Sequence, residues 1–282
     1  MKKKKIQVPV KAYNNLDFLN SADARTIRML SEFYEPQSRF RKYKIHDTIV
    51  FFGSARIMSR RESMRLLSSA KREKSASSKA KFEQALKMLE MSKFYEDAVE
   101  LSKRLTEWSI SLPSNEKRII VCSGGGPGIM EAANKGARLA KGRSIGLNIS
   151  IPFEQFVNKY VDTELAFEFH YFFMRKFWFS YLAKALVAFP GGFGTMDELM
   201  EVITLSQTKK VEKPLKIIMY GESYWREIVD FDALIEHGMI SAPDMKLFDF
   251  SSTVDDAFEK ITAHVTKYYL SNGIHGKAKN PD

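Results

Sequence analysis

From Arg118 onward the chain alternates short apolar runs with stretches of helical periodicity, and that alternation restricts it to few folds. The runs lie at 119–122, 144–149, 167–173, 185–189, 215–220 and 246–250, with helical patterns at 129–140, 175–184, 196–207, 223–237 and 254–269. Strands separated by helices imply right-handed crossovers and a mostly parallel sheet covered on both faces. Ile119-Ile-Val-Cys122 is apolar at successive positions, which suits a strand buried on both sides. One earlier strand signal, at 48–52, is closed by Gly53-Ser54-Ala55-Arg56. The expected fold is a Rossmann-like, doubly wound α/β domain over 46–271, with helices on both faces and an added N-terminal helical region.

The rest of the chain reads as additions to that domain. Residues 1–45 are polar and mixed, an arm with one short helix near 23–34 and with Pro9 and Pro36 as breaks. Residues 59–110 carry helix formers with almost no Gly or Pro. Within them 59–95 forms a basic helical insertion, its start crowded with Arg60, Arg61, Arg65, Lys71, Arg72, Lys74, Lys79 and Lys81. Residues 272–282 read as a flexible tail. The net charge of +10 favours an anionic partner, whether nucleic acid, phosphorylated metabolite or acidic membrane face. Aromatics are absent from 59–81 and its arginine spacing is irregular, so a solvated helix face is favoured there over a nucleic-acid contact. A single cysteine, Cys122, excludes an internal disulfide and makes the cytoplasm the default compartment; it reads as a buried, inert thiol. Lys2–Lys5 is not followed by an apolar stretch, so no signal peptide is expected. The most apolar window, 166–189, holds Glu168, His170, Arg175, Lys176 and Lys184, which argues against a bilayer span. His46, His170, His237, His264 and His275 show no metal-ligand spacing, and neither metal nor cofactor is expected.

Chemistry is expected where small-residue turns leave the strands. Beside 53–56 there are Ser123-Gly124-Gly125-Gly126-Pro127-Gly128 and Pro190-Gly191-Gly192-Phe193-Gly194-Thr195, each just before a helix. In open α/β sheets ligands bind at that edge, and a helix N-terminus reached through glycines is a natural seat for phosphate. The standard nucleotide fingerprints fit poorly. Gly124-x-Gly126 meets Ile129 where a third glycine belongs, and neither turn ends in Gly-Lys-Ser/Thr. Taken alone, either turn could be a plain strand-to-helix connection.

Pro190-Gly-Gly-Phe-Gly-Thr-Met-Asp-Glu198 matches P-G-G-x-G-T-x-x-E, the signature of the LOG (LONELY GUY) family, phosphoribohydrolases that activate cytokinins and are often mislabelled lysine decarboxylases. Gly124-Gly-Gly-Pro-Gly-Ile-Met-Glu131 and Arg175-Lys176 resemble its remaining motifs, and 144–155 resembles its longer bacterial branch; the likeness spans roughly 47–230. The resemblance implies a cofactor-free enzyme, a homodimer or higher homo-oligomer, that hydrolyses the N-glycosidic bond of a nucleoside 5′-monophosphate to free base and ribose 5-phosphate. It assigns Glu198 and Arg175 as the catalytic pair, Gly125, Gly126, Gly128, Gly191, Gly192, Gly194, Thr195, Ser54 and Lys176 to phosphate and ribose, and Glu154 to a further substrate contact. Plant-type members carry a histidine where this chain has Phe173, which leaves AMP and a prenylated adenine nucleotide both open as substrates.

Simpler readings stand beside these. Thr195-Met-Asp-Glu198 is also a helix capping box. Arg175 could be a surface cation, but Phe172, Phe173, Phe177 and Trp178 around it read as core, where a lone charge is costly. The alternative function is a non-catalytic binder of a nucleotide or phosphorylated cofactor on the same fold. A Schiff-base lysine, as the decarboxylase label requires, has no other support.

Overall fold

The computed structural model describes residues 9–72, 78–113, 118–151 and 156–270. The expected N-terminal basic run, tail 272–282 and Glu154 fall outside them. Seven parallel strands form one sheet: β1 (Asp47–Phe52), β2 (Ile119–Ser123), β3 (Ser144–Ile149), β4 (Ala166–Phe169), β5 (Ala183–Ala188), β6 (Lys216–Tyr220) and β7 (Asp249–Ser251). Their order, β4-β3-β2-β1-β5-β6-β7, reverses direction between β1 and β5. The chain winds outward one way through β2, β3 and β4, then returns to the centre and winds the other way. A crevice must open beyond the β1 and β5 ends, because the loops leaving those neighbours depart to opposite sides. The doubly wound α/β fold is therefore present.

Ten α-helices accompany the sheet: α1 (Leu16–Leu19), α2 (Arg25–Lys42), α3 (Arg60–Arg72), α4 (Ser78–Ser111), α5 (Ile129–Leu139), α6 (Phe172–Leu182), α7 (Phe193–Gln207), α8 (Glu222–Ile228), α9 (Phe231–Glu236) and α10 (Val254–Val265), counted among the described residues. Two apolar cores lie on opposite faces of the sheet. Phe40 of α2, Trp178 and Phe179 of α6, Leu199 of α7 and Trp225 of α8 fill one, packed on Val50, Leu186 and Met219. Ala98, Leu101 and Leu105 of α4, Ala132 and Ala133 of α5 and Ile261 of α10 fill the other, packed on Ile49, Phe51 and Val187. Strand residues alternate between the cores, as a period of two requires. Cys122 is buried, and burial pushes its thiol pKa up. No described helix is long and apolar enough to cross a membrane.

Several element boundaries differ from expectation. The apolar run at 167–173 is not one strand: β4 ends at Phe169 and α6 starts at Phe172, because an aromatic helix entry is as apolar as a buried strand. The helix expected over 223–237 is two, since the Asp230 side chain accepts the Ala233 N–H at 2.9 Å and starts α9 afresh. The α2 helix continues through Pro36 to Lys42 rather than ending near 34. Pro36 cannot donate to the Glu32 carbonyl, and the Trp178 indole N–H donates to it instead at 3.0 Å. That bond, with the Phe40 ring tilted against Phe167 and edge-on to Trp178, fastens α2 to the domain.

Candidate active site

The loops after β1 and β5 are joined directly. Phe189 N–H donates to the Phe52 carbonyl at 2.9 Å, and Ser54 N–H to the Pro190 carbonyl at 3.0 Å. Above them opens a cavity of about 790 Å³, lined by Ser54, Arg56, Arg175, Glu198 and the 190–196 turn, among others. It occupies the crevice that the strand order predicts.

Helix periodicity explains how two charges reach it. On α6, Arg175, Phe179 and Leu182 share one stripe, four and three residues apart; on α7, Thr195, Leu199 and Val202 do the same, with Glu198 beside Leu199. Arg175 and Glu198 thus occupy inward-facing positions near the ends of two helices on the same face of the sheet. They meet in an ion pair between the Arg175 Nη2 and the Glu198 Oε1, with side chains only 12% and 11% exposed. Burial is the dominant influence on Glu198. It pushes the carboxyl up to about 7, against the lowering pull of the Arg175 and Lys176 cations. Arg175 also lies 5.4 Å from the Phe172 ring and 5.6 Å from that of Phe179, and its Nε is buried with no hydrogen-bond partner among the described residues.

Helix α7 begins three residues earlier than expected. Gly192 is its N-cap and offers no side chain, so the first-turn amides of Phe193, Gly194 and Thr195 point outward without a side-chain cap. The capping-box reading fails for the same reason: Thr195 lies inside the helix, buried, and Glu198 turns to Arg175. A Cβ on Gly192 or Gly194 would meet nothing within 4 Å, so the turn is open to a ligand. The Tyr224 hydroxyl donates to the Gly191 carbonyl at 2.8 Å and braces it from α8.

The remaining expected residues divide. Ser54, Gly191, Gly192, Gly194 and Thr195 line the cavity with Arg175 and Glu198, whereas Gly125, Gly126, Gly128 and Lys176 do not. Of the first glycine turn only Gly124 does. Gly128 has φ +71° and packs so closely on the first loop that a Cβ would lie 2.3 Å from the Ser54 carbonyl oxygen. The Ile129 N–H at the start of α5 is already taken by that carbonyl, at 3.1 Å. This turn therefore serves close packing of loop on loop. Lys176 pairs with Asp197 at 2.7 Å and Glu201 at 2.8 Å, tying α6 to α7. Burial lowers its pKa, but those hydrogen bonds outweigh it and the net shift is upward. Phe172, Phe173 and Phe177 are not core; only Trp178 of that group is buried.

Sequence reasoning missed Asn158. Its amide donates to the Gly125 and Gly126 carbonyls at 2.9 and 3.0 Å and to Asn134 Oδ1 at 2.9 Å, while Ser123 Oγ donates to Asn134 at 2.7 Å. This network clasps the first glycine turn, and an isolated asparagine carries no periodic signal. Met88, Met91, Tyr224 and Ile228, also cavity-lining, were missed because nothing local marks them.

Fold and site together define a doubly wound α/β protein with an open glycine turn at a helix start and a buried carboxylate–guanidinium pair at the switch point. A model of the family described as "possible lysine decarboxylase" matches residues 130–261. A probable cytokinin riboside 5′-monophosphate phosphoribohydrolase of Oryza sativa subsp. japonica is 26% identical over 170 residues, covering 60% of this chain and 65% of that protein. A cytokinin riboside 5′-monophosphate phosphoribohydrolase of Arabidopsis thaliana is 30% identical over 87 residues, 30% of this chain and 40% of that one. The chain thus spans less than two thirds of the length of these relatives. A solved structure titled as the structural-genomics target TM1055 shares 18% identity, with a TM-score of 0.47 over 77% of this chain and 99% of that one. The chain is thus similar, over part of its length, to proteins of the LOG family.

Proposed function

We propose that this protein hydrolyses the N-glycosidic bond of a nucleoside 5′-monophosphate, AMP or a cytokinin-type adenine nucleotide, to free base and ribose 5-phosphate. The observation that carries this reading is one cavity shared by the uncapped start of α7 and the Arg175–Glu198 pair. The α7 amides and the Gly191–Thr195 turn hold the 5′-phosphate. With the phosphate anchored there, C1′ of the ribose lies within reach of Glu198, a positioning effect on rate. The C1′–N bond breaks with its electron pair passing to the base nitrogen, and an oxocarbenium-like sugar develops. Ionised Glu198 stabilises that cation and orients a water, whose oxygen bonds to C1′. One water proton stays on the new hydroxyl and the other ends on the departing base. Arg175 keeps Glu198 ionised and turned toward the sugar. A cytoplasmic setting suits a phosphorylated substrate and an unpaired cysteine.

Purified protein is incubated with a panel of purine and pyrimidine monophosphates, and products are read by mass spectrometry. Base and ribose 5-phosphate are expected in equal amounts. Nucleotides recovered intact after long incubation would instead favour the non-catalytic binder.

The same proposal includes a homodimer. Phe173, Phe177 and Tyr181 form an exposed i, i+4, i+8 stripe on α6, with Leu30 and Tyr34 of α2 exposed as well. Leu182 at the end of the same helix faces the core. Light scattering on a size-exclusion column should give about twice 32.4 kDa, and Phe177→Glu should shift the peak toward monomer; a monomer in both refutes the dimer.

A further inference from the structure

A mismatch of lengths draws attention to α4. It has 34 residues, about 51 Å at 1.5 Å per residue. The six residues of β1 span only about 20 Å. As the crossover between parallel β1 and β2, α4 runs antiparallel to the strands, starting at their carboxyl edge. Its Ala98, Leu101 and Leu105 cover the sheet, so the turns before them overhang the edge where the cavity lies. Helix α3 packs along that overhang. Two α4 residues three apart, Met88 and Met91, line the cavity with Ile57, Met130, Ile149 and Ile151. The cavity is bounded by α6 and α7 from one face of the sheet and by α4 from the other. Charge and open amides come from the first side, which also supplies Phe172, Met196 and Ile228, while the second supplies the flexible apolar Met88 and Met91.

We propose that the overhanging start of α4 is the base-recognition wall of this site, with Met88 and Met91 determining which base is accepted. The inference rests on the nucleotide reading given above and deepens it. Phosphate held on α7 and ribose beside Glu198 leave the base to project toward the remaining, apolar side. Thioethers suit that task, because they pack on aromatic faces and edges and adapt to substituents on the ring. A cavity of about 790 Å³ leaves room beside a purine for an apolar group on its exocyclic nitrogen. The wall lies outside residues 130–261 that the family model matches.

The test compares AMP with N6-isopentenyl-AMP in the wild type, Met88→Ala, Met91→Ala and the double variant, with Met→Leu at each position as the volume-conserving control. The ratio of kcat/KM for the alkylated over the plain nucleotide should fall about tenfold in each alanine variant and about a hundredfold in the double, while leucine keeps it within about threefold. A merely structural role would lower both substrates together and leave the ratio in place. Calorimetric binding of both nucleotides runs in parallel. Hydrolysis with an unchanged ratio overturns the wall and leaves the hydrolase reading intact. No hydrolysis by any form, but a binding ratio that shifts as stated, keeps the wall and removes the hydrolase. Failure to bind either nucleotide overturns both.

Discussion

Replacing Arg175 by glutamine should move the pH dependence of catalysis, and the direction is fixed by the site. Glu198 must be ionised to face a developing cation, and burial holds its pKa near 7 even with Arg175 beside it. For the wild type, kcat/KM should therefore rise tenfold per pH unit below about 7 and level off above. At pH 5 it should stand about a hundredfold under the plateau, since kcat/KM reports the free enzyme. A guanidinium in contact lowers a carboxyl by about 1–3 units, so its loss should carry the midpoint from about 7 to about 8–10. At pH 7 the ionised fraction then drops from about one half to between about 10% and 0.1%. The variant should lose most activity at neutral pH and regain part of it in alkali. Its residual deficit at high pH measures what Arg175 does for the substrate itself. The 5′-phosphate titrates near 6, but equally for both proteins, so the profiles are compared as a difference. A limb that stays in place, or moves toward acid, would refute the idea that this carboxylate titrates in catalysis.

The remaining expectations concern other parts of the molecule. Glu198→Gln should cut turnover by at least about a thousandfold while AMP binding by calorimetry stays within about fivefold; comparable losses in both would remove the carboxylate from the chemistry. Gly128→Ala forces a side chain onto a backbone at φ +71° and against the Ser54 carbonyl, and should cost at least about 2 kcal/mol in urea denaturation. Gly194→Ala, with open space around it, should keep stability but weaken nucleotide binding. Lys213, whose Nζ donates to the Ser180 and Tyr181 carbonyls at the end of α6, is pushed down to about 7 by burial and then by Lys184. Its folded state binds fewer protons than the unfolded one between about 7 and 10.4, so stability should rise with pH across that window. Lys213→Met should flatten the rise in thermal melts, and an unchanged slope would rule out the lysine as its source.

How much could be read from the sequence followed from what kind of signal each element carries. β3 has the expected bounds of 144–149, because a short buried run between glycines and helix formers has one reading. The break between β4 and α6 was hidden, since Phe167 through Phe173 is apolar or aromatic at most positions and periodicity cannot divide it. Pro36 misled for a different reason. Its missing N–H is compensated by Trp178, 142 positions away in the chain, which no local rule can see. Arg175, Glu198 and the 191–195 turn, marked in the sequence by a motif and a helical period, come together at one cavity. Glycines at 125, 126 and 128 looked alike in sequence to those at 191–194 but do not line the cavity, and the Ile129 amide that follows them is taken by the Ser54 carbonyl. Met88 and Met91 were legible only as helix, and their place over the cavity depends on how far α4 outruns the sheet.

The energetics of the Arg175–Glu198 pair bear on which functional reading to prefer. Both side chains are largely withdrawn from water, and an ion pair so placed is weak evidence for stability, because desolvation offsets its attraction. Leucine and methionine would fill the same inward positions on α6 and α7 at no such cost. The Arg175 Nε has no hydrogen-bond partner among the described residues, so the pair is not a fully satisfied network there. A protein that only held phosphate would gain from Arg175 and from the α7 amides, but a carboxylate beside a bound dianion repels it. Glu198 makes sense where positive charge appears during a reaction and is absent before it. The burial that raises its pKa to about 7 also makes its charge count more once formed, since little water screens it. A hydrolase needs that arrangement, and a carrier is hindered by it. The two are separable by one comparison: Glu198→Gln should bind a nucleoside monophosphate within about fivefold of the wild type, or more tightly, if the carboxylate serves the transition state, and more than about fivefold more weakly if it serves the bound ligand.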